Sequence, residues 1–386
     1  MANALLLTYH IFEGVRRGGI HYIANYLSKI GYNIDFVTNP VYIKWLFKYG
    51  LNDRENVKNL FRLIKGIRYD VFDGVEIRNF SIPILIPYKL ASFINNKFKN
   101  FGLVSNWCLL EKRLRSSYNI IVIESTSSIL LLKKLRERYP KSKIIYRPSD
   151  PVMAYSDIKL LINAEKDIIQ SADRIWLVNE SAKSFYEKKL KIRLKNYFIL
   201  NNPVVYGKEI NEKNINISNR GIKAVYVGCF PIDYDLIDMS SEKYKSAEFI
   251  IIGPYKDKLK KNNVIFTGPL NRERCKEIIR GCNIGIIPYK KRREINQLFE
   301  ITGKVGIFML YGLPIVGMNI SETLAKLKGF YVAKNHDEFL NYFSDAIMLN
   351  EIERVKIFAA YKEILNNYTF EKFEYDLDLE LKNIHI

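Results

Sequence analysis

Two groups of residues in this chain have the types and spacing to do chemistry. The first lies in Gly285 to Asn319. An apolar run ending at Pro288 predicts a buried parallel strand, Ile284 to Pro288, closed by Tyr289. A polar loop, Lys290 to Gln297, follows it. Glu300-Ile-Thr-Gly-Lys304 then opens a helix whose Val305, Ile307, Phe308 and Leu310 can face a sheet, and which Gly312 and Pro314 stop. A helix start after a parallel strand offers free N–H groups and a positive dipole end, at Thr302 and Gly303 here, and holds phosphate well. Lys304 adds a full charge. Glu300 is read either as a ribose-hydroxyl acceptor or as an i,i+4 partner of Lys304.

The second group is a pair of carboxylates at predicted strand ends, Asp150 and Glu124. A carboxylate can take a proton from an attacking hydroxyl while a cation stabilises a departing phosphate. Asp150, between Pro148 and Pro151, reads equally well as a turn-forming residue, and Glu124 as a buried acid paired with Arg147. A glycine-rich loop, His10 to Gly19, places Arg16 and Arg17 before a helix containing His21. It suits an anion or a plain basic turn. The glycines do not form GxGxxG, so dinucleotide binding is not expected.

These residues sit on a regular α/β alternation. Strands are predicted at 4–8, 32–38, 120–124, 143–146, 175–178 and 197–200, with helices over 20–30, 127–139, 158–171 and 182–190. Residues 204–221, rich in Asn and Gly, read as a linker. A second series has strands at 224–228, 249–253, 264–268, 284–288 and 315–318. Its helices span 272–280, 337–349 and 352–366. The expected organisation is a Rossmann-like domain over 1–203, the linker, a second Rossmann-like domain over 222–368, and a C-terminal segment, 369–386, whose helix returns to the first domain. Two doubly wound domains of this kind define a cleft.

The chain has 386 residues, 48% hydrophobic and 13% aromatic, which excludes global disorder. Its formal net charge of +19 implies anionic company. Two stretches, 41–67 and 88–107, mix aromatics with lysine and arginine as membrane-surface helices do. No signal peptide or membrane-spanning run is seen. The four cysteines, Cys108, Cys229, Cys275 and Cys282, form no metal or redox motif and read as reduced core thiols of a cytosolic protein. The acid pairs Asp233/Asp235 and Asp376/Asp378 resemble metal-binding DxD, but the second lies on a helix where the two face apart. No metal or cofactor is expected. A nucleic-acid binder would also suit the charge, yet no nucleic-acid motif appears.

The segments His10…Arg16-Arg17…Ile20-His21-Tyr22, Glu124-Ser125, Tyr146-Arg-Pro-Ser-Asp150, Gly285-Ile-Ile-Pro-Tyr289 and Lys304…Tyr311-Gly-Leu-Pro314 resemble, in order and spacing, the GumK-like β-glucuronosyltransferases of the xanthan pathway. The resemblance covers nearly the whole chain and is weakest over 40–115. It implies the GT-B fold and an inverting, metal-independent transfer from a UDP-sugar to a lipid-linked glycan at the inner membrane face, by a cytoplasmic, peripherally bound enzyme. It places Asp150 on the catalytic base, with Glu124 in reserve. Tyr289 and Lys304 fall on nucleotide-sugar contacts and Phe230 on a nucleotide contact; His10, Arg16, Arg17 and His21 are expected on the acceptor side. Pro269 stands where the family has a glutamate touching the nucleotide. A GT-B-fold sugar-nucleotide epimerase is the alternative enzyme reading.

Overall fold

The computed structural model describes residues 2–12, 17–42, 64–72, 75–84, 107–211, 221–291 and 294–384. Arg16, Arg292, Arg293 and most of the two basic aromatic stretches lie outside these residues, as does 212–220 of the linker. The chain divides into two units, Met1–Leu200 with Leu377–Ile386, and Asn201–Asp376.

The first unit is built on an eight-stranded sheet ordered β3-β4-β2-β1-β5-β6-β7-β8. Its strands are β1 Asn3–Thr8, β2 Asn33–Tyr42, β3 Arg68–Phe72, β4 Val75–Ile84, β5 Ile120–Glu124, β6 Lys143–Arg147, β7 Arg174–Leu177 and β8 Tyr197–Ile199. All pairings are parallel except β3 with β4. The hairpin β3–β4 falls in the stretch that sequence patterning leaves irregular. Its strand identity comes from pairing with β2, a long-range contact with no local signal. β5 is buried along its whole length, which accounts for its unbroken apolar run, IIVI.

The second unit has six parallel strands ordered β11-β10-β9-β12-β13-β14. They are β9 Ile222–Val227, β10 Ala247–Ile252, β11 Val264–Gly268, β12 Ile284–Pro288, β13 Ile315–Met318 and β14 Phe330–Ala333. This is the doubly wound order in which strand direction of winding reverses beside the first strand. Gly312, at φ +65°, ends the helix Gly303–Leu310 in the left-handed region as a C-terminal glycine should. A helix over Tyr234–Lys243, absent from the sequence reading, starts on Asp233. The Asp233 Oδ1 accepts from the N–H groups of Asp235 and Leu236, and Oδ2 pairs with His336 at 3.0 Å. Asp233 thus caps a helix whose first turn contains Asp235. Asp376 and Asp378 each pair with a lysine one helical turn away, Lys372 and Lys382.

The last helix, Phe370–Asn383, ends in the first unit. There the fully buried Glu380 carboxylate accepts from Arg174 Nε and Nη2 (2.5 and 2.9 Å) and from Trp176 Nε1 (3.0 Å). A buried carboxylate with three donors and a guanidinium is satisfied where a lone one would be costly. Trp107, the end of the second basic aromatic stretch, is buried in the core of the first unit. Cys275 and Cys282 are buried thiols as expected, whereas Cys108 and Cys229 are exposed. Cys229 is exposed because it follows the end of β9, where the chain leaves the sheet.

Candidate active site

Open α/β sheets bind ligands beyond the carboxyl ends of the strands where the winding reverses. In the second unit that point lies between β9 and β12, and the predicted residues gather there. Lys304, in the first turn of its helix, donates to the Tyr289 hydroxyl at 2.6 Å. Its ammonium lies 5.0 Å from the ring centres of Tyr226 and Tyr289 and 5.7 Å from that of Phe299. Among the described residues no carboxylate pairs with it. Burial lowers its pKa to about 8, since an aromatic cage replaces water poorly around a charge. The cation is held in position with donor capacity left over.

The surrounding backbone is shaped for this. A Cβ on Gly228, at the end of β9, would stand 2.6 Å from Lys304 Nζ and 2.5 Å from the Tyr226 hydroxyl oxygen. Gly253, after β10, has φ +147°, and a Cβ there would meet the Gly228 carbonyl oxygen at 2.0 Å. Glycine is required at Gly253, whereas a side chain at Gly228 would push aside the Lys304 ammonium and the Tyr226 hydroxyl. Tyr255 donates to the Phe230 carbonyl (2.7 Å) and its hydroxyl lies 3.0 Å from that of Tyr226. Phe230 stacks on Tyr289 with centroids 5.2 Å apart.

The structure refines the predicted roles. Tyr289 is buried, and it braces Lys304 and Phe230 rather than presenting an open face. The helix starts at Gly303 with Thr302 as its N-cap. Glu300 therefore precedes the helix, and the predicted i,i+4 pair with Lys304 does not form. The Thr302 hydroxyl oxygen is buried with no hydrogen-bond partner among the described residues. Gly303 is exposed, with open space where a Cβ would stand.

In the first unit the winding reverses between β1 and β5. Asp150 is exposed, in the turn after β6. Its N–H donates to Ser125 Oγ at 3.3 Å. It lines a pocket of about 340 Å³ with Tyr9, Ser125, Tyr155, Ser156 and Leu161 among others. Glu124 lies elsewhere in character. It is fully buried, and its oxygens accept from Thr8 Oγ1 and from Ser149 Oγ (2.7 Å). Burial raises its pKa against the pull of those bonds and of Arg147. A carboxylate so enclosed cannot reach an incoming hydroxyl. Arg147, also fully buried, spans to the Leu200 carbonyl at 3.4 Å, and burial lowers its pKa to about 10.

Of the acceptor-side residues, Arg17 is exposed and His10 partly so. His10 stacks on Tyr9, centroids 4.2 Å apart. His21 is fully buried: Nδ1 accepts from Gly18 N–H at 3.0 Å, and Nε2 lies 3.2 Å from the Ile11 carbonyl oxygen. That pairing fits the neutral Nε2–H tautomer, and burial with the neighbouring His10 lowers its pKa to about 4. His21 holds the loop and has no nitrogen left for a ligand. Sequence patterning missed Glu165, a buried carboxylate beneath the Asp150 turn. On the sequence it is one charged residue of an amphipathic helix.

Residues 6–178 match the model for the N-terminal domain of the glucuronosyltransferase GumK. TuaH of Bacillus subtilis, assigned as a glycosyltransferase of teichuronic acid biosynthesis, is 26% identical over 230 residues, 52% of this chain and 57% of that protein. The match thus spans little more than half of the relative's length. Among solved structures, the N-terminal domain of trehalose-6-phosphate phosphatase from Candida albicans superposes with a TM-score of 0.66 at 12% identity. That match covers 100% of this chain and 97% of the other. An E. coli trehalose-6-phosphate enzyme bound with UDP-2-fluoro glucose gives 0.65 at 12%, covering 99% of each. A glycosyltransferase from Rickettsia africae gives 0.60 at 12%, covering 99% and 98%. The chain thus has two parallel-sheet Rossmann-like units in the fold of the GT-B glycosyltransferases, and its residues 6–178 are similar to the N-terminal domain of the glucuronosyltransferase GumK.

Proposed function

We propose that this protein moves a sugar, glucuronate being the first candidate, from a UDP-sugar to a lipid-linked or surface-polysaccharide glycan, with inversion and without a metal. The observation that carries the reading is the Lys304 ammonium. It is fixed by Tyr289 and three aromatic rings, lacks a carboxylate among the described residues, and sits beside a helix start. A held cation with no anion of its own suits a diphosphate leaving group. In the reaction, the acceptor hydroxyl oxygen forms a bond to the anomeric carbon as the bond from that carbon to the UDP oxygen breaks. Asp150 takes the hydroxyl proton, and the negative charge departs on UDP against Lys304 and the N–H of Gly303. The pocket beside Asp150, with the rings of Tyr9 and Tyr155 and the hydroxyls of Ser125 and Ser156, suits the faces and hydroxyls of a sugar.

The match to a glucuronosyltransferase and the assignment of TuaH to teichuronic acid synthesis support a uronate donor. A second reading has retention in place of inversion, because a structural neighbour is described as transferring with retention. The anomeric configuration of the product, read by proton NMR, separates the two. We place the protein at the inner face of a membrane. Its net charge favours this, and among the described residues no helix is long and apolar enough to cross one.

The test is thermal unfolding against UDP, GDP, CMP, UDP-glucose and UDP-glucuronate. A ligand bound only by the folded protein raises the midpoint with its occupancy. A rise with UDP, larger with UDP-glucuronate, is expected. A rise with GDP alone would move the donor class, with Pro269 as its mark, and no rise with any nucleotide would overturn the reading.

A further inference from the structure

We infer that Glu165 is a positioning residue for Asp150, an inference that rests on Asp150 being the base. Glu165 belongs to the helix Lys159–Ser171 and is fully buried. Its Oε1 accepts from the hydroxyls of Tyr146 (2.6 Å) and Tyr186 (2.8 Å) and from the Val152 N–H (2.7 Å). Its Oε2 accepts from the Met153 N–H at 2.6 Å. Tyr146 is on β6, just before the turn that carries Asp150, and Val152 and Met153 directly follow that turn. One carboxylate therefore grips the turn from both sides.

The chemistry favours this work over simple packing. The four-residue helix Val152–Tyr155 has Pro151 as its N-cap and no side-chain cap of its own. Its first N–H groups would be left unsatisfied in a buried place. Glu165 supplies the missing acceptors from another element. On the opposite side, Ser125 accepts from the Asp150 N–H through Oγ and from the Tyr155 hydroxyl through its carbonyl oxygen at 3.1 Å. The turn is thus pinned at Asp150, Val152, Met153 and Tyr155, while the Asp150 carboxylate stays exposed. A base must be held within about 0.5 Å of its working place, and groups that lock its backbone decide this.

Glu165→Gln keeps the shape but turns an amide N–H₂ toward the Met153 N–H or toward the other donors. Tyr186→Phe removes one donor and leaves both backbone bonds. With the full chain, three quantities are read for each variant. They are UDP release from UDP-glucuronate with water as acceptor across pH 5–9, the midpoint of unfolding, and amide exchange in the 148–156 segment. Glu165→Gln should release UDP at least about tenfold more slowly, with an unchanged KM for the donor and a displaced acid limb. Its Val152 and Met153 amides should exchange at least about tenfold faster. Tyr186→Phe should keep the wild-type profile at a similar cost in midpoint. Unchanged exchange at Val152 and Met153 in Glu165→Gln overturns the inference, whatever the turnover. Equal loss of rate in both variants does so too. Asp150→Asn that still releases UDP at the wild-type rate would instead remove the base reading and leave the turn as a structural clamp.

Discussion

UDP affinity should fall as the pH rises through the titration of Lys304. The ammonium titrates at about 8 because burial disfavours its charge, and a bound diphosphate restores an ordinary lysine value near 10.4. Affinity then follows the protonated fraction of the free protein. Between about pH 7.5 and about pH 9.5 the dissociation constant should rise about twentyfold, close to 1.8 kcal/mol. That agrees with the ~1.5–3 kcal/mol of a charged hydrogen bond. The phosphate itself, with its second ionisation near pH 6, is fully charged over this range. Folding stability runs the other way. The unfolded chain holds the Lys304 proton more tightly, so between about 8 and 10.4 this group makes stability rise with pH. Titration of Lys304 therefore weakens UDP without itself destabilising the fold, and the unfolding midpoint at each pH checks that the protein is folded. The assay is calorimetric titration of UDP at several pH values, in two buffers of different ionisation enthalpy, which also counts the proton taken up on binding. Lys304→Met should weaken UDP by roughly 10–150-fold at the lower pH and flatten the pH dependence. A flat wild-type profile, or the same slope in Lys304→Met, would refute the argument.

Gly228→Ala should fold, since the atoms its Cβ meets first are the ends of Tyr226 and Lys304. By displacing the ammonium it should weaken UDP several-fold, which the same titration measures; unchanged affinity would detach Lys304 from the donor. Asp150→Asn should abolish sugar transfer while UDP binding survives, because Asp150 lies in the first unit and the Lys304 cluster in the second. EDTA should leave turnover unchanged, and inhibition reversed by a divalent cation would replace the metal-free mechanism. Alkylation of the exposed Cys229, followed by peptide mass spectrometry, should slow when UDP is present, since the thiol adjoins Gly228 and Phe230.

The elements of the second unit were legible because punctuation and burial agree there. The strands Ile284–Pro288 and Ile315–Met318 and the helix Arg272–Arg280 stand where apolar runs and the Gly and Pro breaks put them. The alternation of strand and helix, a local property of side-chain period, was enough to give the doubly wound class. It also brought Asp150, Tyr289 and Lys304 to strand ends and a helix start. The helix Tyr234–Lys243 was missed because its apolar stripe is thin and its cap, Asp233, looks like half of a metal motif.

Which of the charged residues touch solvent was decided by tertiary structure alone. Glu124, Asp150 and Glu165 are all carboxylates whose exposure their sequence surroundings do not tell. Yet the first is sealed under Thr8 and Ser149, the second exposed, and the third locked to Tyr146, Tyr186 and two backbone amides. His21 and Tyr289 went inside while their neighbours His10 and Phe230 stayed partly open. Most of the secondary structure follows from neighbours a few residues apart, the β3–β4 hairpin excepted. Burial and pKa follow from partners brought together across the sheet, twenty-five positions for Ser149 and Glu124 and twenty-one for Tyr186 and Glu165. The order of the strands fixes those meetings, and no local pattern records it.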